Sequence, residues 1–339
     1  MSSPPIRPSE KQVTMAVIGY GHFGRIHAEK VAGCNFAKLV AVADVEAERA
    51  AEAAQTLGVE GVQDYRDLLG KVDAVSVVVP TVAHYEVADA FLSHGADVLV
   101  EKPITDDPAT AAKLVETAKR NGRILQVGHL ERFTSVAELL RERLQRPLFI
   151  ESLRIAPYQP RGTDVNVILD LMIHDLDLVL SLVDSPIVSV DAAGGAVFSH
   201  SEDIANARIK FANGCIANIA SSRISLKRER KMRIFEADRY VTVDFVERKI
   251  RSISNPSGKP PTTLSDVEVV DKAYSKDDPL QKEIDAFAVA SAGGDAPLVS
   301  GDDGKRALEA AIMVNDSMAA HAAAVEQAQG LAKTSKGAA

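Results

Sequence analysis

Two side chains in the stretch 165–183 have the makings of a general base. Asp170 and His174 stand four residues apart, so on a helix they lie one turn from each other. The carboxylate can then bond one ring nitrogen, fix the tautomer and leave the other nitrogen to accept a proton. Together with Asn166, Asp177 and Ser181 they form a narrow polar stripe at helical spacing on an otherwise apolar rod. A stripe so narrow must face something polar. A core histidine satisfied by an acid neighbour has the same pattern, whereas a metal site is poorly served, because no third ligand stands nearby.

A second candidate is Lys102. It follows the apolar run Val98, Leu99, Val100 and then Glu101, and Pro103 comes directly after it. In an open parallel sheet, ligands bind beyond the carboxyl ends of the strands, which is where such a lysine would sit. The proline restricts the lysine's backbone and permits a cis bond, which would fix the direction of the amine. Read alone, Lys102 also fits a surface lysine at a strand end.

The elements that would position these groups begin at 13–31. Val13, Met15, Ala16, Val17 and Ile18 suit a strand buried on both faces, Gly19-Tyr20-Gly21-His22-Phe23-Gly24 makes a glycine-spaced turn, and a helix can follow from Arg25. Gly19 would allow a sharp reversal, Gly21 the approach of a pyrophosphate to bare backbone, and Gly24 close packing of the helix on the sheet. The helix's first N–H groups would face the phosphates. A next strand over 39–43 ends at Asp44, about 20 residues past Gly24, from where a carboxylate reaches ribose hydroxyls. Val45 and Glu46 follow, with no adjacent Arg or Lys, so a 2′-phosphate would meet negative charge. The cofactor expected is NAD, with NADP the alternative.

The 339 residues suit two domains with sizeable cores, and 46% hydrophobic with 25% charged residues is the composition of a soluble globular protein. A net charge of −8 gives no footprint for nucleic acid and would repel an anionic membrane surface, so an acidic substrate must be held by local basic residues. Cys34 and Cys215 are far apart and lack metal-ligand spacing, which suggests buried free thiols, no disulfide and no metal. No apolar run reaches membrane-spanning length and the N-terminus lacks a signal-peptide core, so the expected location is cytoplasmic, without membrane insertion.

After a flexible leader at 1–11, strand and helix alternate: helix 46–57, strand 73–79, helix 82–94, strand 96–100, helix 108–120 and strand 124–127. That rhythm predicts an N-terminal doubly wound parallel sheet over 12–130, with helix 134–145 as a connection. From 147 to 326 the rhythm changes to strand-like runs at 149–155, 203–211, 216–221, 232–236 and 240–245, closed by helices at 280–290 and 305–320. Val241, Val243 and Phe245 alternate with Thr242 and Asp244, which implies an α+β domain with a large, mostly antiparallel, open-faced sheet. An open face invites a second copy, so a homodimer or homotetramer through that face is expected. Residues 327–339 read as a disordered tail. The run Lys227-Arg228-Glu229-Arg230-Lys231 reads as a solvated turn between strands.

With these stretches in hand, the sequence resembles the Gfo/Idh/MocA family of sugar and cyclitol oxidoreductases. The resemblance rests on the glycine turn followed by His27, on Glu101-Lys102-Pro103, and on Asp170-x-x-x-His174, in that order between about Met15 and Met318. It implies a Rossmann domain with an open-sheet second domain, a Lys–Pro bond that is usually cis, and Lys102, Asp170 and His174 as the catalytic set. The cofactor would be held by Gly19, Gly21, His22, Phe23, Gly24, Asp44, Pro80, Glu101 and Lys102. One departure is Val165-Asn166-Val167, where many members carry a Gly-Gly pair that contacts the sugar.

The stretches 128–133 and 164–175 look like the branch of that family acting on UDP-linked N-acetylglucosamine. That branch implies oxidation of a secondary hydroxyl, the 3-hydroxyl of a UDP-linked amino sugar, by hydride transfer to nicotinamide C4. His129, Asn166 and Asp170 would touch the sugar, and Arg132, Arg154 and Arg161, expected on the rim of the crevice, the diphosphate. The alternatives are a dehydrogenase of a free polyol such as inositol, and a non-catalytic NAD(P)-sensing regulator of the same fold. Intact Lys102, Asp170 and His174 argue against the regulator.

Overall fold

The computed structural model describes residues 12–159, 165–274 and 276–336. The expected leader at 1–11 and Arg161 lie outside the described residues. The chain forms two units, one of residues 12–134 with 278–308, the other of 135–277 with 309–336.

The first unit is a parallel six-stranded sheet. Its strands are β1 (Val13–Ile18), β2 (Ala37–Ala43), β3 (Glu60–Val62), β4 (Ala74–Val77), β5 (Asp97–Glu101) and β6 (Leu125–Gly128), in the order β3-β2-β1-β4-β5-β6. This is the doubly wound order whose direction reverses beside β1. The central strands are apolar without alternation because helices cover both faces: all four residues of β4 are buried. Between strands come α1 (His22–Ala32), α2 (Ala47–Leu57), α3 (His84–Ser93) and α4 (Pro108–Asn121). Local chemistry sets the ends of α4. The Asp107 carboxylate accepts the Ala109 and Thr110 N–H groups, Pro108 takes the first helical position, and Gly122 closes the helix at φ 59°. The edge strand β3 was not expected; three residues are too few to show a period.

The second unit carries α5 (Ser135–Arg143), β7 (Phe149–Ile155), α6 (Ile173–Leu182), β8 (Ile187–Gly195), β9 (Ile204–Phe211), β10 (Ile216–Ser222), β11 (Glu229–Phe235), β12 (Arg239–Asp244), β13 (Lys249–Ser254) and β14 (Glu268–Ala273). The eight strands run β14-β13-β12-β11-β7-β10-β9-β8, antiparallel except for the β7–β10 pair. In β9 exposed and buried residues alternate over the whole strand, the pattern of a sheet covered on one face. The covered face packs Ile150, Ile209, Ile219 and Ile234 against Leu140, Leu176 and Val179 of the helices. The fold class expected from sequence is the one found. β8, β13 and β14 were not foreseen, and the charged run extends less far as a turn than expected, since Glu229 to Lys231 already belong to β11.

Two further helices close the chain, α7 (Pro279–Ser291) and α8 (Gly301–Lys336). Residues 278–308, counted from sequence with the second domain, belong to the first unit, because Ile284, Phe287 and Ala288 complete the core around Met15, Leu99 and Val31. Part of the stretch read as a tail from 327 is helical: α8 continues to Lys336, as its run of Ala, Glu, Gln and Lys favours. No helix among the described residues is long and apolar enough to cross a membrane. Cys34 and Cys215 are free and buried, and burial pushes both thiols up to about 11.

Candidate active site

The glycine turn is built as its spacing requires. Gly19 sits at φ 95° and donates its N–H to Ala43 O at 2.7 Å. A Cβ on Gly19 would come within 2.4 Å of Val78 O, and one on Gly24 within 1.9 Å of Gly19 O. These two glycines therefore serve the fold. Gly21 differs: a Cβ there would meet no protein atom within 4 Å, so its bare backbone is open to an approaching ligand. Gly21 caps α1 without any side-chain hydrogen bond, leaving the helix's first N–H groups to a ligand. His22 and Phe23 are exposed beside it, their rings 5.5 Å apart and edge to face. The cradle fits a dinucleotide pyrophosphate.

Asp44 closes β2 nearly buried, accepting the Tyr20 N–H at 2.7 Å and the Glu46 N–H at 2.9 Å. Its carboxylate is thereby aimed by the turn itself. Arg49 stands in the first turn of α2, its guanidinium 3.9 Å from Asp44 and 3.1 Å from Glu46. Two acids face that single arginine.

Lys102 lies half-buried at the end of β5, and the Lys102–Pro103 bond is cis. The Lys102 N–H donates to Glu101 Oε2 at 3.2 Å, while Glu101 Oε1 faces His27 Nε2 at 3.1 Å. His27 Nδ1 in turn meets Ser76 Oγ at 2.8 Å. Burial pushes the Glu101 carboxyl up, but the hydrogen bond and field of His27 and the charge of Lys102 outweigh it and hold the group below its usual range. His84, buried at the start of α3, ties this loop to its neighbour, with Nδ1 2.9 Å from Pro103 O and Nε2 3.0 Å from Val79 O, beside Pro80. Burial lowers the pKa of His84. The glycine turn, Asp44, the loop at Pro80 and the Lys102 loop thus share the carboxyl edge of one sheet. His27 reached notice from sequence only through the resemblance, and His84 not at all; a histidine on an apolar helix face carries no sign of its partner.

In the second unit the expected single helix over 165–183 has two parts. Ile168–Met172 forms a π turn and α6 begins only at Ile173. Asp170 therefore sits inside the widened turn and His174 two residues beyond it, both half-buried. Such turns often mark functional sites. The stripe is also used differently from the expectation. Asn166 caps the turn, its Oδ1 accepting the Leu169 N–H at 3.0 Å, and its Nδ2 donates to Asn315 Oδ1 at 2.9 Å. Its side chain holds the helix start. Ser181 bonds back to Leu178 O.

The start of this helix is latched from a distance. Arg223, just after β10, donates to Asp203 Oδ1 at 2.8 Å and to Val165 O at 2.7 Å, and its other nitrogen to Ser199 and Ser201. Asp203, fully buried, also accepts the N–H groups of Val197, Phe198 and Ser199. Sequence offered one weak signal for this pair, a charged residue at each of two strand ends.

Two arginines expected on a rim are inside. Residues 150, 152 and 154 alternate onto the covered face of β7, so Arg154 is 3% exposed and pairs with Asp175 of α6 at 2.5 Å, with Ser152 on the same carboxylate. Arg132 is 6% exposed in the turn Leu130–Phe133 and donates to Leu298 O at 3.2 Å. His129 is buried just before that turn. Among the described residues no group of three or more His, Cys, Asp or Glu could hold a metal ion.

Residues 13–129 match the model of the Gfo/Idh/MocA oxidoreductase family with its NAD-binding Rossmann fold, and 155–238 match that family's C-terminal domain. The chain belongs to this family. It is 40% identical over 301 residues to UDP-N-acetylglucosamine 3-dehydrogenase of Acidithiobacillus ferrooxidans, covering 88% of this chain and 95% of that one. A solved structure of UDP-N-acetylglucosamine 3-dehydrogenase from that organism superposes with a TM-score of 0.84 at 36% identity, over 91% of this chain and 99% of the other. A myo-inositol 2-dehydrogenase of Thermotoga maritima is 27% identical over 87% of this chain and 92% of its own. This family member is an NAD-binding oxidoreductase of the kind that acts on CH–OH groups.

Proposed function

We propose that this chain oxidises the 3-hydroxyl of UDP-N-acetylglucosamine or a closely similar UDP-linked amino sugar, with NAD as the oxidant. The observation that carries the reading is 40% identity along nearly the whole length of a UDP-N-acetylglucosamine 3-dehydrogenase, with Lys102, Asp170 and His174 all present. A free polyol is the weaker alternative because the inositol dehydrogenase is 27% identical. The arginine argument does not separate the two, since Arg132 and Arg154 are spent on internal partners. Of the three, Arg161 remains the candidate for the diphosphate.

Bound NAD supplies the hydride acceptor. His174, oriented by Asp170, takes the proton of the substrate hydroxyl as the C–H bond beside it breaks, and Lys102 donates a hydrogen bond to the same oxygen, stabilising its charge or relaying the proton. The glycine turn holds the pyrophosphate and Asp44 the ribose of the adenosine half. NAD is favoured over NADP because Asp44 and Glu46 together offset the charge of Arg49. The exposed face of the eight-stranded sheet is the surface proposed for a second copy.

Incubation of the purified protein with NAD, UDP-N-acetylglucosamine, N-acetylglucosamine and inositol tests the reading. NADH absorbance and a product lighter by one hydrogen molecule with the UDP-sugar alone are expected. Turnover of inositol without turnover of the UDP-sugar would overturn it.

A further inference from the structure

Glu283 of α7 is fully buried in the first unit, and neither of its carboxyl oxygens has a donor among the described residues. A carboxylate buried without donors loses its hydration and gains nothing in return, so such a group keeps its proton instead. Its surroundings supply acceptors. Gln126 of β6 donates Nε2 to the backbone oxygen of Glu283 at 3.3 Å, and the other end of that amide, Oε1, is buried and has no donor either. Gln126 pairs in register with Leu99, and Gly128 with Glu101. The Glu101 carboxylate lies over Gly128, whose Cβ would come within 2.9 Å of it. Leu99 shares a core with Ile284, Phe287 and Ala288 of α7, so this face of the sheet is the one that α7 covers. Gln126 Oε1 and the Glu101 carboxylate are thus acceptors on the sheet face that α7 covers, the face against which the Glu283 carboxyl is buried.

We infer that Glu283 is a neutral carboxylic acid in the folded protein and donates its proton to Gln126 Oε1 or Glu101, so that one negative charge, not two, underlies Lys102. Glu283 is thus a positioning residue, and its bearing on turnover rests on the proposed role of Lys102. Charged and titratable groups on the surrounding elements include His27, Glu29 and Lys30 of α1, Glu101 of β5 with Lys102 just after it, and His129, Glu131 and Arg132 in and just before the turn packed on α7. Lys30 is occupied by Asp278 at the exposed start of α7. Burial first, and the negative charge of Glu101 second, raise the Glu283 carboxyl well above its usual range. A single charge leaves Glu101 free to serve His27 and the Lys102 N–H, whereas a second one would draw the lysine's ammonium inward.

Infrared spectra test this in the whole protein without any sugar, so the result stands apart from the substrate reading. A protonated-carboxyl stretch at neutral pH that disappears in Glu283→Gln is expected; spectra in which the variant loses only a carboxylate band would overturn the inference. Stability against pH gives a second readout. Because the folded pKa is raised, wild type loses stability relative to Glu283→Gln as pH climbs above about 4.3. The two should match near pH 4 and separate toward pH 8; a gap that does not change with pH would also overturn it. Glu283→Ala, which removes the donor, should lower kcat about tenfold with KM for NAD unchanged, and Gln should recover at least half of that turnover. Equal losses in Ala and Gln would rule out the proton as what matters.

Discussion

The carboxyl edge of the first sheet and the polar helix of the second unit are held in place by different means. At the first, groups close in sequence fix one another: Gly19 and Gly24 shape a turn in which only backbone fits, Asp44 is clasped by Tyr20 and Glu46, and Glu101 bonds the amide of the very next residue. At the second, the helix start is pinned by Arg223 and Asp203 and by Asn315, all remote along the chain. A site held locally tolerates change elsewhere, while one held by a distant buried ion pair fails when that pair is cut.

Five substitutions would sharpen or break this contrast. Lys102→Ala should lower turnover by about three orders of magnitude with NAD affinity by calorimetry changed less than about twofold. A variant that keeps most of its activity would refute the lysine's role. Arg223→Met leaves the buried Asp203 without its partner and should cost about 3 kcal/mol in denaturant unfolding. A loss below about 1 kcal/mol would mean that the helix is held by something else.

The glycines divide the local site in two. Gly24→Ala puts a methyl group into Gly19 O and should cost about 2 kcal/mol by thermal unfolding. Gly21→Ala meets nothing in the protein, so stability should move by no more than about 0.5 kcal/mol while NAD affinity falls about tenfold. The reverse pattern would contradict the division.

The smallest effect is in acid. Burial pushes the Asp203 carboxyl up, but the hydrogen bonds from Ser199, Arg223 and the Phe198 and Val197 amides overcome it and hold the group far below its usual range. A depressed folded pKa gives stability that is present above the unfolded value of about 3.9 and is lost as pH falls toward the folded one. Asp203→Asn should therefore flatten the acid limb below about pH 4; an unchanged limb would mean that Asp203 has no part in it.

The same contrast explains what could be read in the sequence. The parallel sheet was legible because its strands are short apolar runs between helix-forming stretches, and the glycine turn because each glycine answers a local steric demand. Glu101-Lys102-Pro103 was legible as a strand end. The stripe on the second unit's helix was legible only as a stripe. Nothing in it announces the π turn at Ile168–Met172, or that Asn166 would be spent on Asn315. Arg154 was misplaced for a related reason: alternation sends it to the covered face, but an arginine there implies a buried acid that sequence does not supply, and Asp175 lies on another element. The edge strands β3 and β14 are short or highly charged and leave no apolar alternation to follow.

Deuterium tracing tests the hydride transfer most directly. UDP-N-acetylglucosamine carrying deuterium at C3 is turned over with NAD, and the NADH formed is examined by NMR. Oxidation at the 3-hydroxyl requires the deuterium to appear at nicotinamide C4, with turnover slowed by the isotope whenever the C–H bond limits the rate. NADH free of deuterium would contradict it.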